Sequence, residues 1–192
     1  MQDAVPVGEG SMIAVLGLNI DDIKALIKKN DDKHGACEIA NDNADGQIIV
    51  SGNTLSVKSL QTNLKENKIK SIPLKVSAPF HCSLMSPAAE KMQEKIMNIN
   101  FEKPSFEIIN NVNANVETDP ESIKKLLIQQ IYSTVKWRES LINMSKLGIR
   151  NFFEIGPGKA LTGMVKRTIK NSNCFSINSI ADIKNIENEF KK

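Results

Sequence analysis

The chain has two histidines, and only His81 stands where an imidazole could serve as a base. It sits in Ser77-Ala-Pro-Phe-His-Cys82, after an apolar strand-like run and before Ser86-Pro87, so a loop with its own proline presents it at the end of one element and the start of the next. Loops of that kind carry function more often than core positions do, although a histidine simply packed between elements fits the same residues. His34 lies in the polar run Lys28-Lys-Asn-Asp-Asp-Lys-His-Gly35 and reads as a solvated or helix-capping imidazole. Cys82 beside His81 suggests a thiol nucleophile, but neighbours in an extended chain point to opposite sides, and a buried, inert thiol is the ordinary reading of Cys37, Cys82 and Cys174. Gln130 falls on the apolar stripe Ile123, Leu126, Leu127, Ile131, where its amide either finds buried partners or reaches the helix edge and water. Asn41, Asn43 and Gln47 gather three amides around Asn43-Ala-Asp-Gly46, as turn formers or as neutral two-way hydrogen-bonding groups for a ligand. Gly156-Pro-Gly-Lys159 lacks the spacer and the Lys-Ser/Thr ending of a phosphate loop, and no Gly-x-Ser-x-Gly occurs. A possible base is present without an evident nucleophile.

The elements that must position these residues follow from periodicity. Residues 12–16 form an apolar strand run; Asp21 and Asp22 open a helix with Ile23, Leu26 and Ile27 inward that ends at Asn30. Residues 36–40 and 47–51 make a hairpin around Asp45-Gly46. Thr54 caps a second helix with Leu55, Leu60 and Leu64 inward, and residues 69–76 alternate as a fourth strand. The order is βαββαβ, the split unit of ferredoxin-like modules, over residues 11–76.

Beyond it the pattern changes. Ser86-Pro87 starts a helix with Met85, Ala89, Met92, Ile96 and Ile99 on one stripe; residues 106–110 are strand-like; Asp119-Pro120 caps the helix that carries Gln130. Residues 137–144 are helical, 151–155 read as a buried strand, and Gly156-Pro-Gly158 turns into a helix with Leu161, Met164, Val165, Thr168 and Ile169 inward. Its basic residues Lys159, Lys166, Arg167 and Lys170 make a solvated face or one that meets an acidic partner. Residues 174–177 are a last strand before a C-terminal helix. Strands separated by helices imply parallel pairing, yet so few strands cannot complete a parallel sheet, and the expectation is that the missing ones lie upstream of Met1.

Composition narrows the class. With 192 residues, 41% hydrophobic and 24% charged, the chain can bury a core without disulfides. Its net charge is +3 with the cations dispersed, which argues against nucleic acid. Three cysteines with no C-x-x-C spacing indicate neither a disulfide framework nor a metal site. The longest early apolar run, residues 12–18, is far short of the ~20 residues that cross a bilayer. The expectation is a cytoplasmic protein with no membrane association.

Several segments together resemble the malonyl-CoA:acyl carrier protein transacylases of type II fatty acid synthesis. They are Met1-Gln-Asp-Ala-Val-Pro6, Met12-Ile-Ala-Val-Leu-Gly-Leu18, Asn41-x-Asn43 with Gln47-Ile-Ile-Val-Ser-Gly52, Val76-Ser-Ala-Pro-Phe-His-Cys-x-Leu-Met85, Asn110-Asn-Val112, Gln130-Ile-Tyr132, Val135-x-Trp137 and Phe153-Glu-Ile-Gly-Pro-Gly-Lys-x-Leu-Thr-Gly163, in the family's order and spacing. The resemblance implies an α/β fold: a ferredoxin-like βαββαβ subdomain at 11–76, entered by a connection at 1–10, and the C-terminal part of an α/β-hydrolase-like large subdomain at 77–192. It implies a ping-pong transfer in which a serine takes malonyl from the coenzyme A thioester and passes it to the pantetheine thiol of acyl carrier protein, with malonyl-CoA as substrate and no cofactor. His81 then matches the catalytic base and Gln130 the residue whose backbone carbonyl orients it. Phe80 matches the position that selects malonyl over bulkier extenders, Asn41, Asn43 and Gln47 match amides lining the cleft, and Lys70 matches a contact to a coenzyme A phosphate. The family's Gly-His-Ser-x-Gly elbow, its carboxylate-binding Arg and its oxyanion loop would all precede Met1, so the chain alone is expected to be inactive. Asp45 stands where the family often has Pro. Two other readings remain open on the residues alone: a non-catalytic ferredoxin-like binding module or inactive gene fragment, and a Cys82 thiol enzyme.

Overall fold

The structure, a computed structural model, describes residues 4–30 and 34–190. Residues 1–3 of the expected connection, residues 31–33 beside His34, and residues 191–192 lie outside the described residues. Contacts divide the chain into two compact units, Met1–Ser140 and Leu141–Lys192.

In the first unit, β1 (Gly10–Leu16), α1 (Ile20–Lys29), β2 (Cys37–Ala44), β3 (Gln47–Asn53), α2 (Thr54–Glu66) and β4 (Lys70–Pro73) follow in the expected βαββαβ order. The sheet order is β2-β3-β1-β4 and every neighbour is antiparallel, the arrangement of a split βαβ unit. Side-chain alternation sends two sets of residues to two buried faces. On one face Ile13, Val15, Ile48 and Val50 pack with Ile23 of α1 and Val57, Leu60 and Leu64 of α2. On the other, Met12, Ala14, Ala40 and Ile49 pack with Leu74 and Phe80. A sheet covered on both faces explains the continuous apolar runs of β1 and β3.

Four local expectations need correction. Asn43 lies within β2 rather than in the turn, because pairing continues to Ala44↔Gln47 and leaves only Asp45-Gly46 outside, with Gly46 at φ +72°. The cap position of α2 is Asn53, whose side chain is occupied by the Ala36 amide at 2.7 Å, while Thr54 is the first helical residue and donates to the Gly8 carbonyl. Leu55 is 61% exposed, since α2 buries the Ser56, Val57, Leu60 and Leu64 stripe instead. β4 ends at Pro73; the Leu74 amide still donates to the Met12 carbonyl at 2.9 Å, and residues 74–76, expected in the strand, lie outside it.

The chain continues through a 3-10 turn (Ser83–Met85) into α3 (Ser86–Met97), then β5 (Ile108–Ile109), β6 (Val116–Glu117) and α4 (Pro120–Gln130), capped by the Asp119 carboxylate on the Ser122 amide. Ala78, Met85, Ala88, Ala89 and Ile131 form a small core with Val5. Met92, Ile99 and Leu127, expected inward, are exposed, and of the strand-like run at 106–110 only Ile108 and Ile109 form a strand. Helix α5 (Trp137–Lys146) leads into the second unit.

There β7 (Asn151–Ile155) and β8 (Asn173–Ile177) pair in parallel and are the only strands of their sheet among the described residues, flanked by α6 (Ala160–Thr168) and α7 (Ile180–Phe190). The expected buried strand at 151–155 is partly exposed, with Ile155 at 80%, because a single neighbour cannot cover both its edges and faces. Leu161, also expected inward, is exposed, and the buried residues of α6 are Thr162 and Val165.

Glu154 accepts hydrogen bonds from the Leu161 and Thr162 amides at 3.1 and 2.7 Å, so a β7 carboxylate satisfies free donors at the start of α6. Hydrogen bonding from Thr162 holds its carboxyl below the usual carboxylate range. A lowered folded-state value means that this support is complete above the ordinary carboxylate range and is lost as pH falls through the folded value. The Leu161 and Thr162 amide resonances are expected to titrate together at a pH below that of an unperturbed glutamate and to stop titrating in Glu154→Gln; a midpoint at the ordinary value contradicts the assignment.

Candidate functional site

The segment from residue 77 to 83 crosses the sheet face formed by Met12, Ala14, Ala40 and Ile49. Pro79 is fully buried beside Gly10, where any Cβ would overlap its ring. Phe80 packs against both the sheet-face cluster and the α3 cluster, joining two cores. His81 follows with φ +60°, the left-handed region that non-glycine residues enter at a cost of ~1 kcal/mol or more. Cys82 is fully buried; its thiol donates to the Pro79 carbonyl at 3.1 Å and accepts from Ser51 Oγ at 3.5 Å. Burial pushes that thiol above the ordinary cysteine range, which keeps it protonated and unreactive, contrary to the thiol-enzyme reading.

His81 is half-buried, and its Nδ1 lies 3.0 Å from the backbone carbonyl oxygen of Gln130. A carbonyl only accepts, so Nδ1 carries the proton and the Nε2 lone pair is left to act as a base. Gln130 ends α4, where carbonyls have no partner one turn ahead. The next amides turn back: Ile131 N–H donates to the Ile128 carbonyl and Tyr132 N–H to that of Gln129, leaving the Gln130 oxygen for the imidazole. The Gln130 side chain donates from Nε2 to the Ser133 carbonyl at 3.1 Å, so it neither escapes to water nor reaches His81 itself.

The turn after Gln130 is fastened to the outer edge of β2. Thr134 Oγ1 donates to the Ile39 carbonyl at 2.6 Å, Val135 N–H to Ala40 at 2.8 Å, and Asp42 N–H to the Val135 carbonyl at 2.9 Å. This closes a parallel bridge between Asn41 and Val135. Asn41 and Asn43, both half-buried, therefore flank a strand edge that leads back to the Gln130 carbonyl. Gln47 and Lys70 lie elsewhere: both pair with Leu16, from β3 and β4, in one row at the end of the sheet. Lys70 is exposed and lines an open groove with Lys65 and Lys68. The structure thus brings His81 and Gln130 into contact, sets Phe80 beside them in sequence, and places Asn41 one strand edge away.

One interaction escaped the sequence reading. Asp42 is 3% exposed, and Arg138 Nε lies 3.0 Å from each of its carboxylate oxygens, with a second guanidinium nitrogen at 2.9 Å. The signal was parity: Ala40, Asp42 and Ala44 are all buried, and a carboxylate at such a position requires a cation. Among the described residues no cluster of His, Cys, Asp and Glu could hold a metal ion, and no helix is long and apolar enough to cross a membrane.

No protein-family model matches the chain. It is 42% identical over 168 residues to the malonyl CoA-acyl carrier protein transacylase of Bacillus subtilis (strain 168), covering 87% of this chain and 53% of that protein. The crystal structure of malonyl CoA-acyl carrier protein transacylase from Clostridium perfringens is similar with a TM-score of 0.94 and 34% identity, over 100% of this chain and 60% of that one. A type II PKS acyl-carrier protein in complex with its malonyl-transacylase is similar with a TM-score of 0.91 and 34% identity, over 97% of this chain and 61% of that one. The chain therefore spans between half and two thirds of the length of these relatives, in their C-terminal part.

Removing one partner of a buried ion pair leaves a charge without compensation, so Arg138→Ala is expected to cost about 3 kcal/mol in chemical denaturation. Adding Asp42→Asn should recover most of that loss. A cost below about 1 kcal/mol would show that Asp42 is solvated without Arg138.

Proposed function

We infer that the chain is the base-bearing C-terminal part of a malonyl-CoA:acyl carrier protein transacylase, with residues 1–10 as the connection, 11–76 as the ferredoxin-like subdomain and 77–192 as the end of the α/β-hydrolase-like subdomain. The observation that carries this reading is the 3.0 Å contact between His81 Nδ1 and the Gln130 carbonyl, which in the neutral ring puts the free lone pair on Nε2. The two-stranded parallel sheet of β7 and β8 supports it, since parallel strands ordinarily belong to larger sheets with both faces covered.

In this reading the nucleophile is a serine in the part of the relatives that the chain does not span. His81 Nε2 takes the serine proton as the oxygen attacks the malonyl thioester carbonyl. The C–S bond breaks, and the imidazolium returns the proton to the departing coenzyme A thiolate. The same base then takes a proton from the pantetheine thiol of acyl carrier protein, whose sulfur attacks the malonyl ester; the C–O bond breaks and the imidazolium returns the proton to the serine oxygen. A thioester is already activated, so no cofactor or metal is required; a nucleophile, a base and donors for the oxyanion suffice. A neutral carbonyl partner suits an imidazole that must gain and lose a proton twice in each cycle.

Phe80 fills the space that an α-branch on the acyl group would occupy, which fits its anchorage between two apolar clusters. Asn41 and Asn43 offer neutral amides from β2, Gln47 offers one from β3, and Lys70 meets a coenzyme A phosphate. A reducing, cytoplasmic setting suits a buried thiol such as Cys82.

The purified chain, given malonyl-CoA and acyl carrier protein, is expected to leave the carrier's intact mass unchanged; a malonylated carrier would overturn the claim that the nucleophile lies outside it. In a chain extended by the segment that the relatives possess and this one lacks, transfer should appear. There His81→Ala should reduce kcat by about 10²–10⁴-fold with folding intact, the range of general-base loss. Cys82→Ser should retain activity.

A further inference from the structure

The left-handed backbone of His81 needs something to hold it, and the first β-hairpin supplies two side chains that do so. Glu38 of β2 and Ser51 of β3 are direct cross-strand partners. They share the face of Ala40 and Ile49, the one that packs against Phe80. The Glu38 carboxylate accepts from the Ser83 backbone amide at 3.2 Å and from the Ser83 hydroxyl. Ser51 Oγ donates to Cys82 Sγ at 3.5 Å. One cross-strand pair thus grips the two residues that immediately follow His81, and the Gln130 carbonyl holds the imidazole itself.

We propose that Glu38, acting through Ser83 and seconded by Ser51 through Cys82, is the positioning residue that keeps His81 in its left-handed conformation with Nδ1 on the Gln130 carbonyl. The assignment deepens the transacylase reading and rests on it for the role of His81, but the geometry it describes is independent of any nucleophile. Glu38 touches no reacting atom. A carboxylate suits the task because it can accept the amide and the hydroxyl of one residue together, and charge-assisted hydrogen bonds of this kind are the stronger ones. The strain of a residue with φ +60° persists only where its surroundings over-determine it, and here three ties from three elements converge within three residues.

The test reads the imidazole directly. Long-range ¹H–¹⁵N correlation on the full 192-residue chain at alkaline pH distinguishes the two neutral tautomers of each histidine, and exposed His34 is an internal reference. In the unaltered chain His81 should hold its proton on Nδ1. Glu38→Ala should lower the Nδ1–H to Nε2–H ratio of His81 about fivefold, as expected for weakening one ordinary hydrogen bond, without moving His34 or the amide resonances of β1. Ser83→Ala, which removes the hydroxyl and keeps the backbone amide, should lower it by a smaller factor, the double variant should match Glu38→Ala, and Glu38→Gln, which keeps an acceptor oxygen, should restore most of the ratio.

An unchanged His81 tautomer in Glu38→Ala, with the Ser83 amide displaced, would overturn the proposal. If Glu38→Ala fails to fold, Ser83→Ala and Glu38→Gln give the same reading: a ratio equal to that of the unaltered chain in Ser83→Ala overturns it. Loss of the function reading would look different, since an extended chain that transfers no malonyl while Glu38 still governs the His81 tautomer leaves the clamp standing and removes only its purpose.

Discussion

A carbonyl oxygen can accept a hydrogen bond and can never donate one, and the arrangement of the first unit turns on that restriction. With Nδ1 committed to the Gln130 carbonyl, the His81 ring has one tautomer and one free lone pair, although 49 residues separate the partners. Each end has its own support. The carbonyl is free because a helix ends there and its next two amides fold backward. The imidazole is presented because the backbone beneath it adopts a conformation that sequence-local preferences disfavour. Remove the constraint and the ring becomes one more half-buried histidine with two interchangeable tautomers.

Both supports are anchored on the antiparallel sheet. One face is given to α1 and α2 in the ordinary manner of a split βαβ unit. The other would be an exposed apolar surface if Pro79, Phe80 and Cys82 did not cover it, so the loop bearing His81 is held there by the burial of its neighbours. The free edge of β2 is closed by residues 134–135, which also fixes the turn after Gln130. The sheet is therefore the common frame for the His81 imidazole and the Gln130 carbonyl, which arrive from opposite ends of α3 and α4. Its hairpin adds Asn41, Asn43 and the Asp42–Arg138 pair to the same edge.

The βαββαβ order, the turn at Asp45-Gly46, the start of α3 at Ser86-Pro87 and the Asp119 cap were legible because each is written in a few consecutive residues. His81 and Gln130 could be singled out singly, one by its loop and the other by its place on an apolar stripe, and resemblance alone suggested that they meet. What was not legible depends on register. The bulges of β2 between Ile39 and Asn41 and between Asp42 and Ala44 decide which side chains face the loop, and no local pattern announces them. For that reason Glu38 was not singled out, and the parity that marks Asp42 points to burial without naming Arg138 as its partner. Leu55 and Leu161 were placed inward by helical periodicity, which gives the angle between residues but not the direction of the core. The strand at 151–155 was read as buried from its apolar composition, whereas burial also requires neighbours on each side.

The proposed function places the nucleophile served by His81 in the part of the relatives that this chain does not span. The most direct test is the DNA sequence immediately upstream of the Met1 codon, translated in the frame of the chain. The account predicts an uninterrupted reading frame holding a Gly-His-Ser-x-Gly elbow and an arginine able to pair the malonyl carboxylate, so that His81 and its serine belong to one polypeptide. A stop codon between that elbow and Met1, or an upstream frame with no elbow, would contradict it.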